Sequence, residues 1–545
     1  KQGIFMQSGS SITASYLGVT NVVPAEAPET VEETTIENEK IRVTLDKNFP
    51  RVTGYEPLET GATTPGEETP NNIIEINNKH FTPVVGEAIN NGTSITYPVT
   101  INITDEKAVT MNVNYALDGN TINYTITDID DSQYTIYTIN FPEQAMVSMS
   151  STQGDAELRV NDYNSETIVD LSTVVEADKA YKETSIAVLS DGNIGATINN
   201  GSIKARKGVA YRTVAAEDGS FITKLWTNEF LYKGIDNEVI EEPWAKIAIT
   251  GDRNQDDVVD FQDAAIARRD DAGASEGQYG YVVGYENYQD SMTMIAMNVG
   301  SAAQYPFLRI LDNVKKIYLA TDGFGQNIII KGYQSEGHDA SHPDFANYNT
   351  RAGGLDDFLT LLQNSEEYNA NIGVHINHTE VYPEAPQYSI IGSTAGGWSW
   401  YDSAVQIKRE NDILMTEYNG EDYQNMGERL QQLYDDTQGL LKNIYVDVYF
   451  DTRWAMYKLQ DAINSKGMSV STEYVNMMDK ASAFGHHIDG RFNTAGNLVR
   501  FVSNETQDIF NNSTLFRGMT DRATVGIGGW QTSYRLDYTI QQFFI

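Results

Sequence analysis

Cysteine is absent from the 545 residues, which excludes disulfides, thiolate catalysis and cysteine-ligated metal or iron–sulfur centres. Basic residues are scarce as well, with 38 Lys and Arg against 76 Asp and Glu, so the formal net charge is −38. Because phosphate backbones and anionic lipids are bound by concentrated positive charge, neither nucleic acid nor an anionic membrane is an expected partner. No apolar run approaches the ~20 residues that cross a bilayer, and membrane insertion is not expected.

The first half of the chain has the alternation of apolar and polar residues that is typical of antiparallel strands. Residues 1–38 are acidic and proline-punctuated, and they are expected to form a lead-in. Over 39–250 the dominant period is two, as in Val109, Met111 and Val113, which alternate with Thr and Asn. This pattern predicts one buried and one solvated face per strand, and therefore a large antiparallel β-sandwich.

The second half has a different rhythm, in which short apolar runs alternate with helical periods. We interpret 251–300 as a connector and 301–545 as a parallel α/β domain, most simply a (β/α)8-type TIM barrel. About seven barrel strands are recognisable and 515–519 is the last. Either the barrel is cut before its final strand or it closes in a different way. The runs that predict strands are 317–320, 372–375 and 444–446, and those that predict helices are 355–369, 426–441 and 454–466.

The junction contains a loop with the spacing of a calcium site. Residues 252–263 place oxygen ligands at the positions that wrap Ca²⁺ in EF-hand-type loops, and a helical pattern follows. Asp257 stands at the sixth position, where such loops usually have glycine, and the alternative is an acidic solvated turn. We expect a structural Ca²⁺ and no cofactor for catalysis. The expected ligands are Asp252, Asn254, Asp256, Asp260, Asp263 and the carbonyl of Val258.

Polar and aromatic residues that suit sugar chemistry are concentrated in the second half. Trp398 and Trp400 form a pair whose flat indoles suit the apolar face of a pyranose. Cleavage of a glycosidic bond further needs two carboxyl groups, one that protonates the leaving oxygen and one that stabilises or attacks the anomeric carbon. The strand ends of a barrel converge on one mouth, so polar groups there are expected to share a pocket. The residues at predicted strand ends are Asp322, His375, Asn377, Glu380, Asp447, Glu473 and Asp489.

Several segments of this half resemble glycoside hydrolase family 101, the endo-α-N-acetylgalactosaminidases. The resemblance implies a retaining enzyme that hydrolyses the bond between GalNAc and Ser or Thr in mucin-type O-glycoproteins and releases Galβ1-3GalNAc. A β-sandwich of the supersandwich kind before the barrel is similar to that family too. The segments, in order, are TDGFGQ (321–326), KGYQSEGHDASHPDF (331–345), RAGG (351–354), GVHINHTEVYPEA (373–385), GWSW (397–400), IYVDVY (444–449) and GGWQTSY (528–534).

The resemblance also implies roles for individual residues. Asp447, in the YVDV segment, resembles the nucleophile, and Glu473 at the end of the next strand resembles the acid/base. The two would end adjacent strands joined by the helix at 454–466, which predicts the ~5–5.5 Å carboxyl separation of a retaining pair. The positions that match substrate contacts are Asp339, His342, His375, Asn377, Trp398, Trp400 and Trp530.

Two alternatives remain open. The segments after Asp447 and Glu473 depart from the family pattern, which favours a related retaining α-glycosidase with a different O-glycan or exo specificity as the second hypothesis. The third is a glycan-binding module without catalysis, against which the presence of both carboxylates speaks. The acidic, cysteine-free composition is typical of secreted bacterial proteins, so an extracellular or cell-surface location is expected.

Overall fold

The computed structural model describes a defined subset of the chain, to which every structural statement below refers. The described residues are 31–67, 71–161, 166–184, 186–201, 208–271, 291–298, 303–335, 337–338, 340–397, 403–447, 449, 453–474, 482–487 and 540. Of the residues singled out in the sequence, those outside the described set are Asp339, Trp398, Trp400, Asp489, Trp530 and the expected last strand at 515–519.

The first half is an all-β domain, as the alternating pattern predicts. A short 3₁₀ helix lies at Leu171–Thr173. In chain order the strands are β1 (Glu33–Glu37), β2 (Ile41–Asp46), β3 (Val52–Pro57), β4 (Thr64–Pro65), β5 (Ile74–Ile76), β6 (Lys79–Phe81), β7 (Val84–Val85), β8 (Ile89–Asn90), β9 (Ser94–Thr104), β10 (Lys107–Asp118), β11 (Thr121–Asp130), β12 (Thr138–Asn140), β13 (Val147–Ser150), β14 (Glu157–Asn161), β15 (Glu166–Asp170), β16 (Lys182–Thr184), β17 (Ile186–Ser190), β18 (Gly195–Asn200), β19 (Val209–Ala215), β20 (Phe221–Thr227), β21 (Phe230–Leu231) and β22 (Trp244–Thr250).

A ten-stranded antiparallel sheet organises this domain. Its order is β15-β14-β17-β18-β22-β11-β10-β9-β7, with β8 paired to β9. Three four-stranded sheets contribute buried residues to the same hydrophobic core. Val109, Met111 and Val113 of β10 are buried in this core, because alternate residues of a strand share a face. Buried tyrosines form hydrogen bonds between the sheets. For example, the Tyr97 hydroxyl of β9 donates to the backbone carbonyl of Asp46 in β2 (2.7 Å). The observed β1 lies inside the predicted lead-in, which is therefore too long at its C-terminal end.

The second half contains a six-stranded parallel sheet in the order β23-β24-β25-β31-β32-β33. Its strands and the small hairpins around it are β23 (Ser291–Met297), β24 (Gly325–Lys331), β25 (Ala370–Asn377), β26 (Glu380–Val381), β27 (Gly392–Gly396), β28 (Val405–Ile407), β29 (Glu417–Tyr418), β30 (Glu421–Asp422), β31 (Asn443–Asp447), β32 (Ser469–Tyr474) and β33 (Ser482–His487). The helices are α1 (Phe261–Asp270), α2 (Phe307–Ala320), α3 (Gly354–Ser365), α4 (Tyr388–Ile391), α5 (Arg409–Leu414), α6 (Met426–Asp436) and α7 (Arg453–Asn464), with 3₁₀ turns at Thr350–Ala352 and Glu366–Tyr368.

Helices join successive strands of the sheet and bury one of its faces. Helix α2 connects β23 to β24, α3 connects β24 to β25, and α7 connects β31 to β32. Apolar side chains such as Ile328, Ile330 and Val374 belong to one core with the inward faces of these helices. Helix α1 packs instead on the outer face of the ten-stranded sheet, where Ala264 and Ala265 contact its strands.

Two sequence predictions about this half are wrong. The run 317–320 is the last turn of α2 rather than a strand, because Ile317 continues the buried stripe of Ile310 and Val314 while Leu319 is 74% exposed. Asp322 consequently follows a helix and precedes β24, so it does not stand at the carboxyl end of a strand. In addition, β23 lies within 251–300, so the parallel sheet begins inside the predicted connector.

A loop of the β-domain contacts the helix that connects β31 to β32. Lys458 of α7 forms ion pairs with Asp236 and Glu238, both at 2.6 Å. The Trp454 indole donates to Asp236 (3.3 Å) and lies so close to Gly234 that a Cβ there would overlap its ring. We call Gly234–Glu238 the docking loop, and it fixes the outer face of α7 to the first domain.

Candidate active site

One face of the parallel sheet is polar, and this face carries the candidate site. Residues alternate between the two faces of a strand, and paired residues in neighbouring parallel strands share a face. The apolar set described above faces the helices, where Gln326 also donates to the Val314 carbonyl of α2 (3.1 Å). The opposite face is polar. Apart from Ile295, Met297 and Ile329 near its β23 edge, its buried side chains include Asn327, Lys331, His375, Asn377, Asn443, Tyr445, Asp447, Ser469, Ser471 and Glu473.

The two candidate catalytic carboxylates lie side by side on this face. Asn377 pairs with Asp447, and Val446 pairs with Thr472, so one further step along β31 and β32 brings Asp447 level with Glu473. Neighbouring strands are ~4.8 Å apart, and both side chains are on the same face. Asp447 is 2% exposed and Glu473 8%. The arrangement meets the requirement that two carboxyl groups border one space at the carboxyl ends of adjacent strands.

Basic side chains surround Asp447. His375 Nε2 lies 2.9 Å from Asp447 Oδ2, and Lys331 Nζ lies 3.7 Å from the same oxygen. Lys331 ends β24 and lies over the Tyr445 ring at 5.9 Å. The His338 and His342 rings complete the group, with centroids 5.0 and 5.5 Å from that of His375. A positive charge on Lys331 favours the ionised form of the Asp447 carboxyl.

The imidazoles of this cluster are neutral. Burial lowers the pKa of His338, His342 and His375 well below its usual value, and the charge of Lys331 lowers it further. For His338 and His342 the pKa is also lowered by neighbouring rings of the cluster. A neutral imidazole offers one donor and one acceptor, which suits the hydroxyl groups of a sugar.

The turn after β25 is held by its own side chains. Asn377 Oδ1 accepts hydrogen bonds from the backbone N–H groups of Thr379 (2.8 Å) and Glu380 (3.2 Å). The Tyr382 hydroxyl donates to Glu380 Oε2 (2.7 Å). The backbone N–H of Tyr382 donates to the His342 carbonyl (3.1 Å). These bonds join the segment that follows β25 to the segment that follows β24.

The structure brings His342, His375, Asn377, Asp447 and Glu473 of the predicted site together. Sequence reasoning did not nominate Lys331 or His338, although both lie in the KGYQSEGHDASHPDF segment. A signal for Lys331 was available, since a lysine that ends the apolar strand GQNIIIK is unusual unless it is paired.

A group with metal-ligand spacing exists within the described residues. His338, His375 and Asp447 each place one donor atom within 4.8 Å of the others. Lys331 Nζ is 3.7 Å from the same carboxylate, and a second cation there would be repelled. The ammonium group of Lys331 therefore disfavours a metal ion at this group.

The predicted calcium loop is folded around its carboxylates. Asp252 accepts from the backbone N–H of Asp257 (2.9 Å), and Asp263 accepts from those of Arg253 (2.6 Å) and Asp260 (2.9 Å). Asp257 has φ 68°, the left-handed conformation for which glycine is favoured at this position. Asp263 also forms the capping box of α1 with Asp260. The loop is thus closed by hydrogen bonds from its own backbone to these carboxylates, and Ca²⁺ binding stays a prediction.

Two protein-family models match this chain, one in each half. The family model described as endo-alpha-N-acetylgalactosaminidase, glycoside hydrolase family 101, matches residues 262–540, just over half of the chain. The chain belongs to this family. A second model, a galactose mutarotase-like fold domain, matches residues 36–261 and so corresponds to the β-domain.

Individual relatives agree with the family assignment. The chain is 30% identical over 547 aligned positions to a Renibacterium salmoninarum protein named as a candidate endo-alpha-N-acetylgalactosaminidase. The alignment covers 94% of this chain but 35% of the relative, so the chain spans about a third of that protein's length. A family 36 alpha-galactosidase, AgaA of Geobacillus stearothermophilus, is similar in fold at 8% identity and TM-score 0.51, with 86% of this chain and 77% of that chain covered.

Proposed function

We propose that this chain is the catalytic part of a retaining endo-α-N-acetylgalactosaminidase that hydrolyses the GalNAcα-Ser/Thr bond of mucin-type O-glycans. The observation that carries the proposal is the position of Asp447 and Glu473, level with each other on one face of adjacent strands. Membership in family 101 supports the substrate class, and the released product would be a disaccharide such as Galβ1-3GalNAc.

In the proposed mechanism Asp447 attacks the anomeric carbon and forms a glycosyl ester, while the bond to the Ser or Thr oxygen breaks. Glu473 gives its proton to that departing oxygen, and in the second step it removes a proton from the water that cleaves the ester. Lys331 and His375, both close to Asp447 Oδ2, hold the carboxylate in position before the attack. His338 and His342, whose rings lie beside that of His375, would bind sugar hydroxyls.

The finer features of the fold and site belong to the same proposal. We infer that the six-stranded parallel sheet is part of a (β/α)8 barrel, with the two carboxylates at its carboxyl-end mouth. Asp339, Trp398, Trp400 and Trp530 are proposed to complete the sugar-binding surface. Carboxyl groups on adjacent strands favour the short separation of a retaining pair over the ~6.5–9.5 Å of an inverting pair.

The direct test is incubation with an aryl α-glycoside of Galβ1-3GalNAc, followed by analysis of the released sugar. We expect intact disaccharide, initially as the α-anomer, from the wild type and none from Asp447→Asn. The matched control is Asp312→Asn, which changes an exposed aspartate paired with Lys316 on α2. Free monosaccharide would favour an exo-acting α-glycosidase, and binding without any hydrolysis would favour a glycan-binding module.

We also propose a structural Ca²⁺ in the loop 252–263. The side chains of Asp252, Asn254, Asp256, Asp260 and Asp263 and the Val258 carbonyl would supply oxygen ligands, and catalysis would need no metal. An extracellular or cell-surface location is proposed from the substrate. Among the described residues no helix is long and apolar enough to span a membrane.

A further inference from the structure

A buried ionic cluster lies beside the candidate site. Asp412 of α5 is fully buried, and Arg429 of α6 donates to both of its oxygens at 3.0 and 2.6 Å. The Tyr423 hydroxyl donates to Asp412 Oδ1 (2.5 Å), and His378 Nε2 lies 2.8 Å from Oδ2. We call Asp412, Arg429, Tyr423 and His378 the Asp412 cluster.

The Asp412 cluster holds both segments that border the site. Arg429 Nε donates to the carbonyl of Pro343 (2.9 Å), the residue that follows His342. His378 directly follows Asn377, the last residue of β25. A single carboxylate therefore connects the segment after β24 to the segment after β25.

The cluster also reaches the strand that carries the proposed nucleophile. The Tyr449 ring, two residues after Asp447, stacks on His378 at 6.2 Å and 11°. Arg409 contacts the Tyr449 ring with its guanidinium, 4.6 Å from the centroid, and donates to the His378 carbonyl (2.9 Å). Because the two rings are stacked, a rotation of His378 would change the surface on which the Tyr449 ring packs.

The contacts within the Asp412 cluster shift the pKa values of its members in opposite ways. Burial alone would raise the pKa of Asp412, but Arg429 and His378 outweigh it and hold that pKa well below its usual value. Burial lowers the pKa of His378 despite Asp412. Because a carboxylate accepts only, the neutral His378 carries its proton on Nε2, which fixes both tautomer and ring orientation.

Stability alone is a weak explanation for such a cluster. Replacing a buried ion pair by apolar residues of similar volume is often neutral or stabilising, because desolvation of the charges offsets their attraction. What an ion pair with bidentate geometry provides is a fixed orientation of its partners.

We propose that Asp412 and Arg429 are positioning residues for the glycosidase site, which orient His378 and through it Asn377 and the end of β31. The inference rests on the proposed function for its kinetic test. It assigns no contact between either residue and the substrate.

The first test compares two tyrosine-to-phenylalanine variants. Tyr423→Phe removes one hydrogen bond to Asp412, and Tyr97→Phe removes the hydroxyl bond of another buried tyrosine, to the Asp46 carbonyl in the β-domain. We expect similar small losses of stability but a kcat roughly 10-fold lower only in Tyr423→Phe, with KM within about two-fold, because small misplacement of catalytic groups mainly slows the chemical step. Equal kcat in the two variants would overturn the proposal.

The second test uses Arg429→Lys, which keeps the charge but loses the bidentate geometry. A crystal structure of the full chain should show His378 and Asn377 displaced, and an unchanged turn would overturn the proposal. This readout does not depend on the reaction: a wild-type chain that releases no disaccharide refutes the proposed function, while the displacement still decides the role of the cluster.

Discussion

The buried histidines of the second half predict a marked loss of stability in mild acid. His338, His342, His375 and His378 are buried, and burial lowers the pKa of each below its usual value. In the unfolded chain each takes up a proton near pH 6.5, whereas in the folded chain protonation requires a lower pH. The unfolded state therefore binds more protons as the pH falls through 6.5, and the free energy of unfolding decreases.

The size of the effect follows from the number of histidines. A group that protonates only in the unfolded state, with pKa near 6.5, costs about 1.4 kcal/mol between pH 7.5 and pH 5.5. The three with the most strongly lowered pKa together cost at most about 4 kcal/mol, and His378 adds at most about 1.4 kcal/mol. Asp412 does not contribute in this range, because its depressed pKa matters only below about pH 4. Total stabilities are typically about 5–15 kcal/mol, so the loss is large.

Urea unfolding of the full chain across this pH range measures the effect. His342→Gln should reduce the loss between pH 7.5 and pH 5.5 by about 1.4 kcal/mol, whatever its effect on stability at pH 7.5. His80, whose side chain is 60% exposed, provides the control, and His80→Gln should leave the pH dependence as in the wild type. A free energy of unfolding that is flat over this interval would refute the reasoning, as would an unchanged slope in His342→Gln.

Three further outcomes are expected. Lys331→Met should keep the fold, measured by circular dichroism, and lower kcat on the aryl glycoside roughly 100-fold, since the charge near Asp447 is lost; activity near that of the wild type would contradict its role. Chelation by EDTA should lower Tm and added Ca²⁺ should restore it, whereas Asp256→Ala should show no response to either; an EDTA-insensitive wild type would contradict the calcium site. Gly234→Ala should lower Tm, because the new Cβ would overlap Trp454, while Gly219→Ala, in an open turn, should cause a smaller loss.

The β-domain was predictable because its signal is local. Alternation of apolar and polar residues reports directly which face of a strand is buried, and Val109, Met111 and Val113 are buried as expected. The central strands β25 and β31 were equally clear, because continuous apolar runs bounded by polar residues are typical of buried parallel strands.

The errors in secondary structure arose where a short apolar run is compatible with both the strand period of two and the helix period of 3.6. The segment 317–320 reads as a strand when taken alone, and only its continuity with Ile310 and Val314 shows that it ends a helix. Asp322 was misplaced for the same reason, since its expected position depended on that strand.

The site was predictable in part. The resemblance to family 101 nominated Asp447 and Glu473 as the catalytic pair, and both also stand at the ends of runs predicted as strands; the pairing of β31 with β32 brings them onto one face, while their roles stay a prediction. The Asp412 cluster could not be anticipated, because its four residues are spread over 378–429 and meet only through the packing of α5 and α6. Residues that only orient other side chains have no characteristic spacing in the sequence by which they could be recognised.

The contact between the docking loop and α7 has a practical consequence for protein engineering. A shortened enzyme that begins at α1 would expose the Trp454 indole and leave the Lys458 ammonium without its two carboxylate partners. Helix α7 links β31 and β32, the strands that hold Asp447 and Glu473. If α7 packed less tightly, the positions of both carboxyl groups would therefore become less fixed. Trimming this chain to a minimal unit around the candidate site therefore requires that the first domain be retained or that the outer side of α7 be redesigned.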